Sequence, residues 1–279
     1  LYQAHADDSI PYIESLGDFW GELCANADLA GEWGDRLAET VETVWGRYPT
    51  EHGFFHATSM CLSAMLGAGK HDQLLALIDK CPYQFWTYRQ WGVKALVAMG
   101  KKSEALRYAE ATQGLNEPLG RIAEVCEAIL LSSGLADEAY QRYALAANRA
   151  GTYLATFRAI CRKYPKMKPA DVLSDLVAST PGEEGKWFAA AKDAKLYDLA
   201  LKLGQRSPVD HRTLIRSAED FAMTEPRFAL NSGLLALYWI CAGRAYEASV
   251  GDVQNAYDLT LRAADVAQRR ESALKQIRQ

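Results

Sequence analysis

One short pattern recurs at regular spacing along this 279-residue chain and limits the folds that the chain can adopt. It begins with a glycine, continues with mostly polar residues and ends in two apolar residues. Its three clear copies are Gly69–Leu75, Gly100–Leu106 and Gly134–Tyr140, so the glycines are 31 and then 34 residues apart. Glycine readily adopts the left-handed conformation that ends a helix, and a serine or aspartate follows it where the next helix would begin. The pattern therefore predicts a repeated helix–turn–helix unit.

Two weaker copies extend the pattern towards the end of the chain. Lys195–Leu201 lacks the glycine, and Gly251–Tyr257 has it. An alanine that would let paired helices approach closely recurs at one place in the pattern, as Ala105, Ala139, Ala200 and Ala256. Helix pairs with this period are typical of an α-solenoid, because one pair buries its apolar face only by stacking on its neighbours. We therefore predict an all-α fold, an α-α superhelix of stacked helix–turn–helix repeats.

The rest of the chain shows helical periodicity and almost no strand alternation, which predicts about fifteen helices and no sheet. The predicted helices outside the clear repeats include 9–26, 34–47, a helix capped by Thr180 and Glu183 that runs to 194, and one long last helix at 252–277. We divide the chain into an N-terminal helical cap (1–50), clear repeats (51–150) and degenerate C-terminal repeats (151–279). These regions are expected to form one elongated solenoid in two halves that meet near 151–170.

The turn Gly-Lys-Lys-Ser-Glu-Ala-Leu at 100–106 resembles the inter-helix turn and small helix-B residue of the tetratricopeptide repeat (TPR) family. Pro118 lies close to a position where that family often has proline. The family's aromatic residue early in helix A is missing from its expected place, and the repeat spacing drifts. The resemblance covers 52–150 well, 182–270 loosely and 1–50 not at all. It implies a TPR-like helical scaffold that binds peptides or partner proteins, and it implies no chemistry.

The composition argues against several classes of function. Hydrophobic residues make up 49% and charged residues 24%, as in an ordinary folded protein, and the net charge of −4 does not favour a general role with nucleic acid. No apolar run approaches the roughly 18 residues that a membrane-spanning helix needs. The six cysteines include no C-x-x-C pair, which argues against a zinc ribbon and suits a reducing cytoplasm. Because the chain begins at Leu1, we expect it to be part of a longer protein.

Three small residues stand eight positions before the repeat glycines. They are Cys61, Gly92 and Cys126. A position that accepts both cysteine and glycine is typical of a close contact between helices, where cysteine acts as a small buried apolar residue.

The sequence carries no recognisable catalytic or cofactor-binding motif. Dinucleotide-binding, phosphate-binding, hydrolase and zinc-protease patterns are all missing. His52 and His56 are spaced to share one face of a predicted helix at 52–67, but no third metal ligand lies near them. We therefore predict no cofactor, no metal and no catalytic residue, and an enzyme would need a site assembled from distant helices.

Five aromatic residues crowd into the nine positions before the second repeat turn. They are Tyr83, Phe85, Trp86, Tyr88 and Trp91. Because they point around most of a helix, they indicate a helix packed between neighbours. The alternative interpretation is an exposed aromatic pocket for a peptide.

The TPR resemblance also predicts a binding face, since helix-A residues of that family line a concave groove. Carried onto this chain, the register assigns eight groove positions: His56, Ser59, Ser63, Thr87, Gln90, Lys94, Arg121 and Glu124. The three at 87, 90 and 94 form a polar row on an otherwise apolar helix. Such a row would hydrogen-bond an extended peptide, or it is simply the solvent-facing side of the helix. A second alternative is that the register of the groove positions is shifted by one residue.

These patterns favour a protein–protein interaction scaffold or regulatory docking module. The alternatives are a helical-repeat nucleic-acid binder, for which basic residues cluster at 158–168 and 262–278, and a helical enzyme with a site not visible in the sequence. The first 48 residues carry ten acidic residues and two arginines, which fits either the solvated face of a terminal helix pair or a surface for a basic partner. The oligomeric state is left open.

Overall fold

The computed structural model describes residues 2, 14–51, 53–112 and 119–278. In these ranges the chain forms sixteen α-helices, two 3-10 helices and no strand, which confirms the all-α prediction. The 3-10 helices are η1 (Glu14–Phe19) and η2 (Glu184–Trp187). The α-helices are α1 (Trp20–Leu23), α2 (Ala27–Gly46), α3 (Thr58–Gly67), α4 (His71–Asp79), α5 (Trp86–Ala98), α6 (Lys102–Glu110), α7 (Leu119–Leu131), α8 (Ala136–Ala147), α9 (Tyr153–Lys163), α10 (Pro169–Ala178), α11 (Phe188–Asp193), α12 (Tyr197–Arg206), α13 (His211–Asp220), α14 (Pro226–Cys241), α15 (Val250–Val266) and α16 (Arg270–Ile277).

The chain divides into two compact units, Leu1–Ala147 and Asn148–Gln279. Helices α1–α8 belong to the first unit and α9–α16 to the second. The segment 1–50, which we predicted as a cap, contributes helices to the first unit, where α1 and α2 both pack on α3. Within each unit, most helices that are neighbours in sequence contact one another, as repeated helix pairs require. The superhelical arrangement itself stays a prediction.

The three clear copies of the pattern form helical hairpins, α3/α4, α5/α6 and α7/α8. Their glycines end the first helix of each pair with left-handed backbones, with φ of 72° at Gly69, 76° at Gly100 and 76° at Gly134. After Gly100, the backbone N–H of Lys101 donates to the carbonyl of Leu96 at 2.8 Å, and the other two hairpins repeat this bond. This is the Schellman arrangement, which satisfies carbonyls that the helix end leaves without partners. The predicted position and conformation of Gly100 are confirmed.

The two weaker copies have different outcomes. Lys195 stands where glycine is missing and still takes the left-handed conformation, with φ of 59°, between α11 and α12. The prediction at Gly251 is wrong, because this residue lies in the first turn of α15. Ser249 caps α15 in a capping box with Asp252, and the left-handed glycine before it is Gly243, which follows α14. Serine and aspartate at this spacing are a stronger helix-start signal than the nearby glycine.

We expect Gly100→Val to lower the free energy of unfolding by about 1–2 kcal/mol. A branched side chain must adopt φ near 76° there, although the space around the glycine is open. Urea unfolding followed by circular dichroism measures the loss. Gly46→Val is the matched control, since Gly46 ends α2 in open space without a positive φ. Equal stability of the two variants would show that the left-handed backbone carries no cost.

The small residues before the repeat glycines are buried between helices, as their pattern predicts. Cys61 and Cys126 are both 0% exposed. A Cβ atom on Gly92 would stand 2.8 Å from Cε1 of Tyr108, so glycine lets this ring lie directly against α5. Burial raises the pKa of the Cys61 thiol to about 12 and that of Cys126 to about 11. Thiols held in this protonated form are structural and unreactive at neutral pH.

Both helices predicted before the repeats are placed wrongly. The first, 9–26, begins outside the described residues and ends as η1 followed by the single turn α1. The second, predicted at 34–47, begins already at Ala27. Gly34 therefore lies inside the helix, where it has a packing role. A Cβ atom on Gly34 would approach Cγ of Met65 to 2.8 Å, so glycine lets α2 and α3 approach closely.

The helix predicted to start at Thr180 is also wrong. The hydroxyl of Thr180 donates to the carbonyl of Leu176 at 3.2 Å and accepts the indole N–H of Trp187 at 2.7 Å, so it caps no helix. Gly182 turns the chain with φ of 87°, and α11 begins only at Phe188, after η2. The Thr180 hydroxyl thus links the end of α10 to the ring of Trp187.

The long helix predicted at 252–277 is broken into α15 and α16. Gln268 takes a left-handed backbone, with φ of 56°, and Arg269 donates its N–H to the carbonyl of Ala264 at 2.8 Å. Helix α15 therefore ends in the same kind of turn as the first helix of each repeat hairpin, although the sequence has no glycine there. Among the helices of the described ranges, none combines the length and apolar character needed to cross a bilayer.

Candidate functional site

Helix α5 carries the clearest part of the candidate site. Seven of its residues are buried: Trp86, Tyr88, Trp91, Gly92, Val93, Ala95 and Leu96. Its exposed positions are Thr87, Lys94 and Ala98, and the half-buried Gln90 lies between the first two. At spacings of three, seven and eleven residues these positions share one face of the helix. The three aromatic residues on α5 are core residues, and the polar row predicted on this helix is solvent-accessible.

Lys94 holds a defined position on this strip. Its ammonium group lies 3.9 Å from the ring centroid of Trp91, a cation–π distance. Burial lowers the pKa of Lys94, whereas the negative charges of Asp18 and Glu22 act in the opposite direction. The ammonium group is therefore partly desolvated, and the charges of two carboxylates from the N-terminal segment act on it. A cation in this state favours an anionic ligand group.

The next three predicted positions lie on or before α3. His56 is exposed but precedes the helix, in a turn where its ring meets the edge of Phe54 at 4.9 Å between centroids. Ser59 is half-buried in the first turn of α3. The helix predicted at 52–67 therefore begins six residues later, at Thr58. His52 lies outside the described residues. Because His56 precedes α3, it does not lie on the helix face that was predicted for the two histidines.

Ser63 is a correction to the predicted groove, because it is only 4% exposed. Its hydroxyl donates to the carbonyl of Asp18 at 3.0 Å and accepts the backbone N–H of Gly21 at 3.0 Å. The segment Glu14–Leu23, formed by η1 and α1, therefore covers the side of α3 on which Ser63 lies. Periodicity within one helix could not predict this contact, since its partners lie more than 40 residues earlier in the chain.

The last two predicted positions lie on α7. Arg121 and Glu124 are both exposed on its outer side. Helix α7 packs on α6 and α8, whereas α3 and α5 contact each other directly. The helix that carries Ser59 and Ser63 and the helix that carries Thr87, Gln90 and Lys94 therefore pack together, and a groove shared by these residues stays a prediction. Continuation of the row onto α7 stays a prediction.

A run of partly exposed aromatic rings lies beside the start of α5. The rings of Tyr83 and Phe85 stack at 5.4 Å with an angle of 4° between them. Tyr48 meets the edge of Tyr83 at 5.8 Å, and Phe85 tilts towards the buried Tyr88 at 6.3 Å. Phe85 is 48% exposed. The alternative of an exposed aromatic surface therefore applies to the residues before α5, and the signal for it was the aromatic cluster in the sequence.

The basic cluster at 158–168 is partly neutralised. The guanidinium of Arg158 forms a paired contact with the carboxylate of Asp193, with N–O distances of 3.1 and 2.5 Å. Arg162, Lys166 and Lys168 are exposed. In the described ranges, histidine, cysteine and acidic side chains form no group of three that could hold a metal ion.

Comparisons of the chain with protein-family models, with curated proteins and with solved structures found no match.

Proposed function

We propose that this chain is a TPR-like helical-repeat module that docks a protein or peptide segment on the strip Thr87–Lys94 of α5. The supporting observation is the contrast within that helix. Its aromatic and aliphatic residues are packed on the other sides, and the polar strip is left open. A rigid helix that presents hydrogen-bonding groups and one cation suits an extended segment with a free carbonyl or carboxylate.

The surroundings of the strip support the same kind of ligand. Lys94 is held by the ring of Trp91, so little side-chain entropy is lost when it binds a carboxylate. The side-chain amide of Gln90 donates to the carbonyl of Thr87 at 3.1 Å, which leaves its own oxygen to accept a hydrogen bond. Arg121 on α7 would add a second cation if the groove extends that far. All six cysteines are unpaired, which supports the proposal that the module works in the cytoplasm.

The test uses peptides selected from a displayed random library on the full chain. We expect Lys94→Ala combined with Arg121→Ala to weaken binding of the selected peptides by about tenfold or more, because the variant removes both cations that are proposed to pair with the ligand. Fluorescence polarisation with labelled peptides measures the affinity.

The matched control is Lys101→Ala combined with Arg107→Ala, which removes two exposed cations from the α5/α6 hairpin. This pair should change the affinity less than twofold at moderate salt. Unchanged affinity in a folded Lys94→Ala/Arg121→Ala variant would contradict the proposal and would move the site, with Tyr83 and Phe85 as the next candidates.

A further inference from the structure

We propose that the groove between helices α14, α15 and α16 binds a neutral, largely apolar small molecule that carries an aromatic ring. This inference goes beyond the proposed function, because the groove lies in the second unit and does not depend on the α5 strip. Each of the three helices contacts the other two. Nine residues line the groove that they leave open, four from α14, three from α15 and two from α16.

The contact between these helices is made by small residues. Ala263, Ala264 and Ala273 belong to one buried cluster of the second unit. A Cβ atom on Gly233 of α14 would stand 2.2 Å from Oγ1 of Thr260 on α15, so the two backbones approach closely there. Small side chains thus fill the contact, and larger apolar side chains of the same helices are left to line the groove.

The apolar side chains in the groove remain open to solvent. Leu237 and Ile277 are only half-buried, and Cys241 is exposed. Tyr238 is 59% exposed and Val253 is 38% exposed. The solvent-facing side of an ordinary surface helix carries charged and polar residues instead. A continuous apolar surface of this kind is typical of an interaction site.

The size of the groove favours a small molecule over a protein partner. Its volume is about 620 Å³, within the range of roughly 300–1,000 Å³ that is typical of small-molecule sites. A stable interface between two proteins uses roughly 20–30 residues on each side, whereas nine line this groove. One ligand of moderate size is therefore enough to cover the exposed apolar side chains.

The chemistry of the lining defines the ligand class. None of the described residues that line the groove is charged, so an ion would lose its hydration there without gaining a partner. Tyr238 of α14 and Tyr257 of α15 supply rings on which an aromatic ligand packs, and their hydroxyl groups donate or accept hydrogen bonds. The side-chain amide of Gln254 donates to the carboxylate of Asp258 at 3.0 and 3.1 Å, which leaves the Gln254 oxygen to accept a hydrogen bond.

The first test measures binding of the neutral fluorescent probe N-phenylnaphthylamine to the full chain. We expect its fluorescence to rise with a stoichiometry near one, and Val253→Trp, which fills the groove, to weaken its binding by about tenfold or more. The matched control is Val266→Trp, since Val266 is 39% exposed on the same helix and does not line the groove. This control should change the affinity less than about twofold.

A second pair of variants tests the neutral character of the site. Val253→Asp places a charge in the groove and should weaken the probe as strongly as Val253→Trp, whereas Val266→Asp should not. The sulfonated analogue anilinonaphthalenesulfonate should bind the unchanged chain about tenfold more weakly than the neutral probe. Circular dichroism checks that each variant is folded. Unchanged affinity in folded Val253 variants, equal losses in the Val266 controls, or equal affinity for the two probes would overturn the inference.

Cys241 reports directly on the position of the probe, because its side chain lines the groove. A saturating concentration of N-phenylnaphthylamine should slow the alkylation of Cys241 by N-ethylmaleimide, as measured by mass spectrometry. The half-buried Cys161 of the same unit is the internal control and should react at an unchanged rate. Absence of protection at Cys241 would overturn the inference. A dimer in sedimentation that Val253→Asp dissociates would also overturn it and would assign the groove to a second copy of the chain.

Discussion

Gly185→Ala is expected to lower the free energy of unfolding by about 3 kcal/mol, near the upper end of what overpacking costs. A Cβ atom at this position would stand 2.2 Å from the carbonyl oxygen of Ser207 and 2.6 Å from that of Pro208. Both obstacles are backbone atoms, so no side-chain rotation relieves the clash. The backbone N–H of Gly185 also donates to the Ser207 hydroxyl at 2.7 Å, and moving η2 away would break this buried bond.

Urea unfolding monitored by circular dichroism measures this change. Gly151→Ala is the matched control in the same unit, because nothing lies within 4 Å of its added methyl group. It should alter stability by less than about 0.5 kcal/mol. Indistinguishable results for the two alanine variants would contradict the close contact between η2 and the end of α12.

Trp91→Ala is expected to cost about 3–5 kcal/mol, since it empties a large volume in the core of the first unit. Trp91 is 2% exposed, and its ring also supports the ammonium group of Lys94. Thermal unfolding should therefore shift strongly. Peptide affinity should fall even in molecules that remain folded, because Lys94 loses its support.

Trp91→Phe separates the ring from its N–H group. The indole N–H of Trp91 has no hydrogen-bond partner among the described residues, so phenylalanine removes volume but breaks no hydrogen bond. Trp187→Phe makes the same change where the N–H donates to Thr180, and it should cost about 1 kcal/mol more. An equal cost at the two positions would show that these hydrogen-bond assignments are wrong.

Local backbone chemistry made the repeat turns predictable from the sequence. Gly69, Gly100 and Gly134 each follow a helix with positive φ, and this requirement is visible wherever glycine stands at such a place. Lys195 shows that spacing alone also carries information, since the turn is kept without glycine. The turn at Gln268 has neither a glycine nor the expected spacing. The sequence therefore predicted one long helix at 252–277 where the structure has α15 and α16.

The errors come from contacts between residues far apart in sequence. Ser63 has the right spacing for an exposed groove residue, but a segment more than 40 residues earlier covers it. The start of α2 was predicted seven residues too late, and Gly34 lies inside this helix against Met65 of α3. Thr180 has the spacing of a helix cap, and its hydroxyl instead accepts the indole N–H of Trp187. In each case tertiary packing overrides a local preference.

The candidate site, like the fold, was predictable from the sequence only in part. On α5, burial of the aromatic residues leaves Thr87 and Lys94 exposed, as the helical period requires. The assignment of Arg121 and Glu124 depended on the TPR resemblance, and their exposure agrees with that register without testing it. The stacked rings of Tyr83 and Phe85 precede the helix, where helical periodicity gives no information.

The most direct test of the docking proposal is site-specific crosslinking of a library-selected peptide to the full chain. A photoreactive phenylalanine analogue replaces Thr87 on the open strip of α5 or, in a separate variant, the exposed Arg107 on α6. Mass spectrometry then measures the yield of crosslinked peptide. We predict efficient crosslinking from position 87 and little from position 107. Equal yields, or a higher yield from position 107, would contradict a ligand site on the α5 strip.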